Sequence, residues 1–583
     1  MNRIAIVDNT KLKDMDRKKH IASLCPVNRK GEECMYFEGS KLLIDEPSCI
    51  GCGICVNAAP EAIKVINLPE HLSKEPIHRY GKNEFELFDL PIPMFGKVVG
   101  IVGINGIGKS TAIKILAGVL EANLGDLTAK KTDYRKLIEY FKGTEAQSFF
   151  EKVANKEVVI SYKPQHVDFI PKKVKGVVRE LLQKVDEKNQ LDSVVNDLEL
   201  EHILDNDIGR ISGGELQRVA IAATVLKKAN VYIFDEPSSY LDIKQRLRIA
   251  QFLRSLVAPD VAVMVIEHDL IVMDYLADLI HIMYGKEGAY GVVSQLKSAK
   301  AGINSYLEGY IKEDNIRFRD HKIKFEVKPA SKKGKENILT QWPEMTKKLG
   351  SFQLKASPGS VNRNEIVGII GENGIGKTSF IKLLAGVEKP DTGAVDGSLK
   401  VSYKPQRLEA DSDELVMGVL HEAIKTHTKD LINPLDIKDL YLKKLSELSG
   451  GELQRVAIAA ALAQKADICL LDEPSAYLDV EQRLRVSKII KNVAQAGSFS
   501  IIVVDHDLLF IDYLSDRAIV FSGKPAILGT EKGPLSMEEG MNSLLKDVEI
   551  TLRRDEESGR PRINKPGSVK DREQKGKEKY YYN

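Results

Sequence analysis

No apolar run in this 583-residue chain approaches the roughly 20 residues that cross a bilayer, which excludes a helical membrane span. The polar start MNRIAIVDNTKLKD is no secretory signal, so a cytoplasmic protein is expected. Excess charge is missing too. With 85 Lys and Arg against 83 Asp and Glu the formal charge is +2, so no global field draws the chain to nucleic acid or to an acidic partner. Cysteine is scarce: six residues, five of them between Cys25 and Cys55, are too clustered to frame a chain of this length with disulfides and favour metal ligation instead. Cys469 lies in an apolar strand pattern and reads as core.

What is present is an internal repeat. GINGIGKST at Gly103 to Thr111 recurs as GENGIGKTS at Gly371 to Ser379, and SGGELQRVAIAA begins at both Ser212 and Ser449. Ser212 precedes Asp235 by 23 residues, and Ser449 precedes Asp472 by the same 23. The next spacing, aspartate to histidine, is 33 residues to His268 and 34 to His506. Two copies of one domain explain this agreement, and the length of the chain requires more than one core.

The copies differ between the lysine of the glycine-rich loop and the glutamine of YKPQ, where the first carries about 27 extra residues. This insertion, at about 130–156, reads as two short helices. One follows Asp133, with Leu137, Ile138 and Phe141 as its apolar positions, and the other follows the cap Thr144, with Phe149, Phe150 and Val153. Gly143 turns the chain between them. A surface ornament is one reading; the aromatic content favours a docking element. The expected organisation is a cysteine-bearing unit at 1–75, a first α/β domain at 76–290, a linker at 291–335, a second α/β domain at 336–530, and a C-terminal hinge and basic tail at 531–583, whose last stretch from Arg553 to Asn583 looks disordered on composition.

In each copy an apolar strand runs into the glycine-rich loop and then a helix, the context a phosphate-binding loop requires. Gly103, Asn105, Gly106 and Gly108, and likewise Gly371, Asn373, Gly374 and Gly376, bring backbone N–H groups to phosphate oxygens at a helix N-terminus. Lys109 and Lys377 are expected on the β- and γ-phosphates, Ser110 and Thr378 on Mg2+, with Thr111 and Ser379 beside them. VYIFDEP and ICLLDEP are buried-strand patterns ending in two carboxylates. Asp235 and Asp472 suit magnesium; Glu236 and Glu473 suit orientation of an attacking water, which is most of what phosphoryl transfer needs. His268 and His506 follow another apolar strand, where a γ-phosphate sensor would sit.

These motifs resemble the ATP-binding cassette superfamily. The resemblance makes Ser212, Gly213, Gly214 and Glu215, and Ser449, Gly450, Gly451 and Glu452, its signature, and Gln165 and Gln406 its Q-loop glutamines, which also reach magnesium. It implies that each ATP is sandwiched between the loop of one domain and the signature of the other, Lys109 with Ser449 and Lys377 with Ser212. Asp242 and Asp479 would then couple the sites at the seam. Tyr80 and Phe85, upstream of the first loop, are candidates to stack on adenine; the second loop shows no clear counterpart.

Cys49, Cys52 and Cys55 have the C-x2-C-x2-C spacing of ferredoxins that hold a 4Fe-4S cluster, and Cys25, in a Cys-Pro pair, completes a crossed ligand set. A ferredoxin-like α+β unit before twin cassettes resembles subfamily E of the ATP-binding cassette proteins, the RNase L inhibitor or ribosome-recycling factors of archaea and eukaryotes. The match includes CIGCGIC, INLP, HRYG, YGVVS, GINSYLEGY and GRPRINKPGS. That family normally holds two clusters, but this chain has Leu12, Arg17, Ile21 and Ala59 where one ligand set would be, so one cluster is expected and Cys34 is a spare.

The resemblance implies an ATP-hydrolysing factor that splits ribosomal subunits after termination and binds the small subunit. Ribosomal RNA, ribosomal proteins and termination or recycling factors are then its partners, and the molecule is a monomer whose two cassettes pair. It also makes the insertion a ribosome contact and assigns hinges to Asn315 to Arg319 and Arg553 to Lys565, whose basic residues otherwise read as solvated charge. Two other classes remain open: the ATPase component of a membrane transporter, and an iron-sulfur redox protein.

Overall fold

The computed structural model describes residues 3–69, 72, 75–127, 134–323, 325, 337–394, 399–406, 412–496 and 499–581. Asp133 and most of the linker after 323 lie outside the described residues. The chain divides into two compact units. One comprises Met1–Pro237, Phe252–Glu267 and Leu276–His321; the other comprises Ser238–Gln251, His268–Tyr275 and Lys322–Asn583.

At the start of the first unit, Arg3–Val7 pairs antiparallel with Ile63–Asn67, and a hairpin joins Met35–Glu38 to Lys41–Ile44. The helix Met15–Leu24 and the short helix Ile54–Ala58 pack with them around a small core containing Ala5, Leu12, Ile21, Leu42 and Ile63. The remainder is built on a sheet whose parallel centre runs Ile160–Lys163, Val231–Asp235, Ala262–Ile266, Val98–Val102, Leu279–Lys286. These strands are almost continuous apolar runs because helices cover both faces.

The second unit repeats this order with Val401–Lys404, Ile468–Asp472, Ser500–Val504, Ile366–Ile370 and Arg517–Lys524. In a parallel sheet of this kind ligands meet the carboxyl ends of the strands. Both glycine-rich loops and both Asp-Glu pairs lie there, after Val98–Val102 and Val231–Asp235 and after Ile366–Ile370 and Ile468–Asp472.

Both cassettes extend past the expected boundaries. Tyr290–Val293 pairs with Leu279–Lys286, and the helix Ala299–Glu308 buries Ile303, Tyr306 and Leu307 against the first sheet, so 291–308 is cassette, not linker. Leu528–Ser536 and the helix Met537–Asp547, with Met541, Leu544 and Leu545 buried, do the same for the second. Their apolar faces are short, and only the sheet edge shows what they cover.

The insertion forms the two expected helices, Tyr134–Tyr140 and Glu145–Ala154, with Gly143 at φ +80° between them. Its aromatics, expected to dock a partner, face inward instead. Leu137, Phe141, Phe149 and Phe150 belong to the core of the cassette itself, and Phe141 stacks on Phe150 with centroids 5.4 Å apart. Amphipathic periodicity identifies an apolar face but not what covers it.

The tail is folded, contrary to its composition. Leu552–Arg554 and Pro561–Ile563 form a hairpin, followed by the helix Val569–Gly576. Arg562 donates to Asp274 at 2.6 and 2.9 Å, Arg560 to the same carboxylate at 3.2 Å, and Thr551 to Asp571 at 2.7 Å. Composition counts charges without seeing that Arg560 and Arg562 share a buried partner in Asp274. Arg319, at the other expected hinge, is likewise buried and lies over the ring of Tyr306 rather than in solvent.

Candidate functional site

Each phosphate loop closes on its own lysine. Lys109 Nζ donates to the carbonyls of Gly103 and Ile104 at 2.9 and 2.7 Å, and Lys377 donates to that of Gly371 at 2.9 Å. These carbonyl contacts hold the ammonium in the loop, whose phosphate would compete for it. Burial pulls Lys377 down to about 8, against the raising effect of Asp242, Glu473 and Asp472. Gly108 and Gly376 sit at φ +88° and +93° as caps of the helices Lys109–Leu116 and Lys377–Leu384. A Cβ on Gly108 would lie 2.6 Å from the Phe85 ring, and one on Gly376 would lie 2.9 Å from that of Phe352.

The aromatic candidates separate here. Phe85 is packed under the loop backbone, whereas Tyr80 is half exposed and its hydroxyl lies 3.0 Å from Thr111 Oγ1 in the first turn of the loop helix. Tyr80 therefore offers a ring face; Phe85 supports the loop. Sequence reasoning missed Phe352 as the counterpart of Phe85. The repeat carried the signal, since Phe85 precedes Gly108 by 23 residues and Phe352 precedes Gly376 by 24.

Beside each loop stands the carboxylate pair. Asp235 Oδ1 and both carboxylate oxygens of Asp472 are buried without a hydrogen-bond partner, with the hydroxyls of Ser110 and Thr378 facing them. Unpartnered anionic oxygens are costly in a protein interior, so this arrangement fits a magnesium ion. Burial pushes Asp472 up to about 6, with the Glu473 charge adding to it. Asp235 rises for the same reasons. Gln165 Nε2 donates to Glu236 Oε1 at 2.6 Å, and Gln406 repeats the contact on Glu473 at 2.6 Å. His506 Nε2 lies 3.5 Å from Glu473 Oε1. Burial alone would raise Glu473, but His506, Lys377 and Lys404 outweigh it and hold the carboxyl below its ordinary range. His268 is buried at the end of Ala262–Ile266.

Ser212 and Ser449 cap the helices Gly213–Val225 and Gly450–Ala463, each through a capping box with the glutamate three residues on. Both serines are exposed at a helix N-terminus, with Gly213, Gly214, Gly450 and Gly451 in the first turn, a setting that favours an anion. In the second unit, Asp242 accepts from the N–H of Asn373 at 2.9 Å and from that of Gln245 at 3.0 Å. Asp479 caps the helix Val480–Gln495.

Cys25, Cys49, Cys52 and Cys55 line one cavity, and Cys34 lines it too. Gly51 and Gly53, at φ +70° and +76°, turn the chain on either side of Cys52, which is exposed, while Cys49 is buried. Among the described residues no three His, Cys, Asp or Glu side chains are arranged to hold a metal ion. A cluster, however, holds its thiolates farther apart than one ion does, and the donor set suits it. Burial raises Cys55 to about 11, and the thiol of Cys34, facing Cys25 and Cys49, is pushed up by burial and by both neighbours. Leu12, Ile21 and Ala59 are fully buried in the same small core as Cys25 and Cys49, and Arg17 pairs with Glu61 at 2.6 Å.

A family model described as ABC transporter matches residues 94–239 and 354–476, the two cassettes. ABC transporter E family member 1 of Arabidopsis thaliana is 44% identical over 100% of this chain and 99% of its own length. This chain belongs to subfamily E of the ATP-binding cassette proteins. The subfamily E chain is an ATPase with two α/β nucleotide-binding domains. Among solved structures it is similar to a model of ribosome-bound archaeal Pelota and ABCE1, with TM-score 0.92, 50% identity, and 100% and 99% of the two chains covered. It is also similar to the crystal structure of a complex of archaeal ribosomal stalk protein aP1 and the archaeal ribosome recycling factor aABCE1. There the TM-score is 0.83 and the identity 51%, over 88% of this chain and 100% of that one.

Proposed function

We propose that this chain is a ribosome-recycling ATPase that splits ribosomal subunits after termination and stays with the small subunit. The observation that carries this reading is the full-length similarity to a ribosome-bound relative at 50% identity, cysteine unit and tail included. In the two nucleotide sites Ser110, Asp235 and Gln165, and Thr378, Asp472 and Gln406, hold magnesium. Glu236 and Glu473 orient the attacking water, and His268 and His506 contact the γ-phosphate. Tyr80 stacks on adenine in the first site, with Phe85 and Phe352 supporting the loops.

Cys25, Cys49, Cys52 and Cys55 hold one 4Fe-4S cluster, which supplies cross-linking and folding energy to a unit of about 75 residues. The packing of Leu12, Ile21 and Ala59 where a second ligand set would stand supports a single cluster, because an apolar core then replaces those cross-links. Among the described residues no helix is long and apolar enough to cross a membrane. The test is sedimentation of the purified chain with ribosomes, with and without a non-hydrolysable ATP analogue. Analogue-dependent association with small subunits, and ATP-dependent loss of whole ribosomes, are expected; no association in either state overturns the reading.

A further inference from the structure

The backbone of each catalytic glutamate needs holding. Glu236 and Glu473 both lie at φ +48°, a left-handed conformation that is costly for a residue with a Cβ and persists only where surroundings enforce it. Each N–H donates into the neighbouring strand, Glu236 to Ile266 at 3.0 Å and Glu473 to Val504 at 2.8 Å. Each carbonyl is held by two side chains. Lys163 Nζ donates to the carbonyls of Asp235 and Glu236 at 2.9 and 3.3 Å, and Gln217 Nε2 donates to that of Glu236 at 2.6 Å. In the second copy Lys404 donates to Asp472 and Glu473 at 2.8 and 3.3 Å, and Gln454 to Glu473 at 2.6 Å.

The lysines come from YKPQ, two residues before the Q-loop glutamine, at the ends of the strands Ile160–Lys163 and Val401–Lys404, and both are almost entirely buried. A buried ammonium is expensive unless neighbouring charges and acceptors repay it. Asp235, Glu236 and Glu267 surround Lys163, and Asp472, Asp505 and Glu473 surround Lys404. A neutral hydrogen-bonding residue would give the same fold a cheaper interior. The ammonium adds a compact positive charge beneath two carboxylates and, with three donors, bridges both carbonyls.

We propose that Lys163 and Lys404 are positioning residues for ATP hydrolysis, each clamping the backbone of the adjoining Asp-Glu pair together with Gln217 or Gln454. The glutamine of each clamp stands five residues after the signature serine, on the helix that serine caps. Through it the signature helix is tied directly to the backbone of the residue that orients water. Anything that shifts that helix therefore shifts the glutamate. This rests on the catalytic reading of Glu236 and Glu473.

The test compares Lys163→Met with Lys404→Met, and Gln217→Met with Gln454→Met, made as pairs in the parent and in the Glu236→Gln, Glu473→Gln protein. Methionine keeps the length and removes the donors. Steady-state kcat should fall about tenfold or more, as expected when a reacting group is misplaced by a fraction of an ångström, while ATP affinity by equilibrium binding stays within about twofold. In the glutamine background the same substitutions should change the residual rate by less than about twofold, because their target is already disabled. A full additional loss in that background, or a loss confined to ATP affinity, overturns the clamp. If the lysine pair fails to fold, the glutamine pair reads the same carbonyl. Unchanged hydrolysis in Glu236→Gln, Glu473→Gln alone would instead remove the catalytic reading on which the clamp depends.

Discussion

Gln406 donates its Nε2 hydrogen to Oε1 of Glu473 over 2.6 Å. Gln165 makes the same bond to Glu236. The amide nitrogen thus takes the glutamate and leaves the amide oxygen as the group able to coordinate magnesium, so in the proposed mechanism one side chain would connect the metal to the residue proposed to orient water. Replacing both glutamates by glutamine should leave ATP binding intact and slow hydrolysis by about a hundredfold or more, the range typical of a lost general base. Equilibrium binding and single-turnover hydrolysis check this, and a double variant as fast as the parent removes both residues from catalysis.

Magnesium dependence should change with pH in the second site. Asp472 is pushed up to about 6 by burial, so in the metal-free protein it takes a proton as pH falls through that value. Proton and metal then compete for one carboxylate. The magnesium concentration that half-saturates nucleotide binding is expected to rise below pH about 6, and to rise less in Asp472→Asn, where only the first site's Asp235 still competes. A flat profile between pH 7 and 5 contradicts the shift.

Because the insertion's aromatics are core, truncating them should unfold the cassette's surface rather than merely weaken a contact. Phe150→Ala should cost about 3–5 kcal/mol of stability, as for other buried phenylalanines. Charge reversal at the exposed Lys136 and Lys142 should leave the melting temperature unchanged while weakening ribosome association. Thermal melts and sedimentation separate the two outcomes.

Anaerobically purified protein should hold about four irons on the stoichiometry of one 4Fe-4S cluster. Cys25→Ser should lower iron content although Cys25 is remote in sequence from the CIGCGIC run, because both line one cavity. Cys34→Ser should do much less. Iron retained in Cys25→Ser but lost in Cys34→Ser would make Cys34 the fourth ligand.

The folded tail gives a stability prediction with a definite sign. Asp555 and Asp571 are held below the ordinary carboxylate range: burial opposes this, but bonds from Ser558 and Thr551 and nearby cations prevail. A depressed folded pKa contributes stability above the unfolded value of about 3.9, and that contribution is lost as pH falls further. Denaturant midpoints should therefore decline below pH about 4, and less so in Thr551→Val. Removing one partner of the buried set, as in Asp274→Asn, should cost about 3–5 kcal/mol at pH 7.

The repeat, the phosphate loops, the Asp-Glu pairs and the thiol spacing were legible in the sequence because each depends on local geometry. A glycine at φ near +90°, a helix N-terminus and a strand end fix their chemistry within a few residues. Phe352, the inward face of the insertion, the ordered tail and the clamp of Lys163 on Glu236 were not legible. Each depends on which distant segment lies opposite. A basic, proline-rich stretch reads as solvated until Asp274 is found beside Arg560 and Arg562, and a lysine beside a proline reads as surface until its ammonium meets two carbonyls more than seventy residues away. Periodicity and composition describe one segment's surface, whereas burial and pairing belong to two, so only the tertiary structure could decide them.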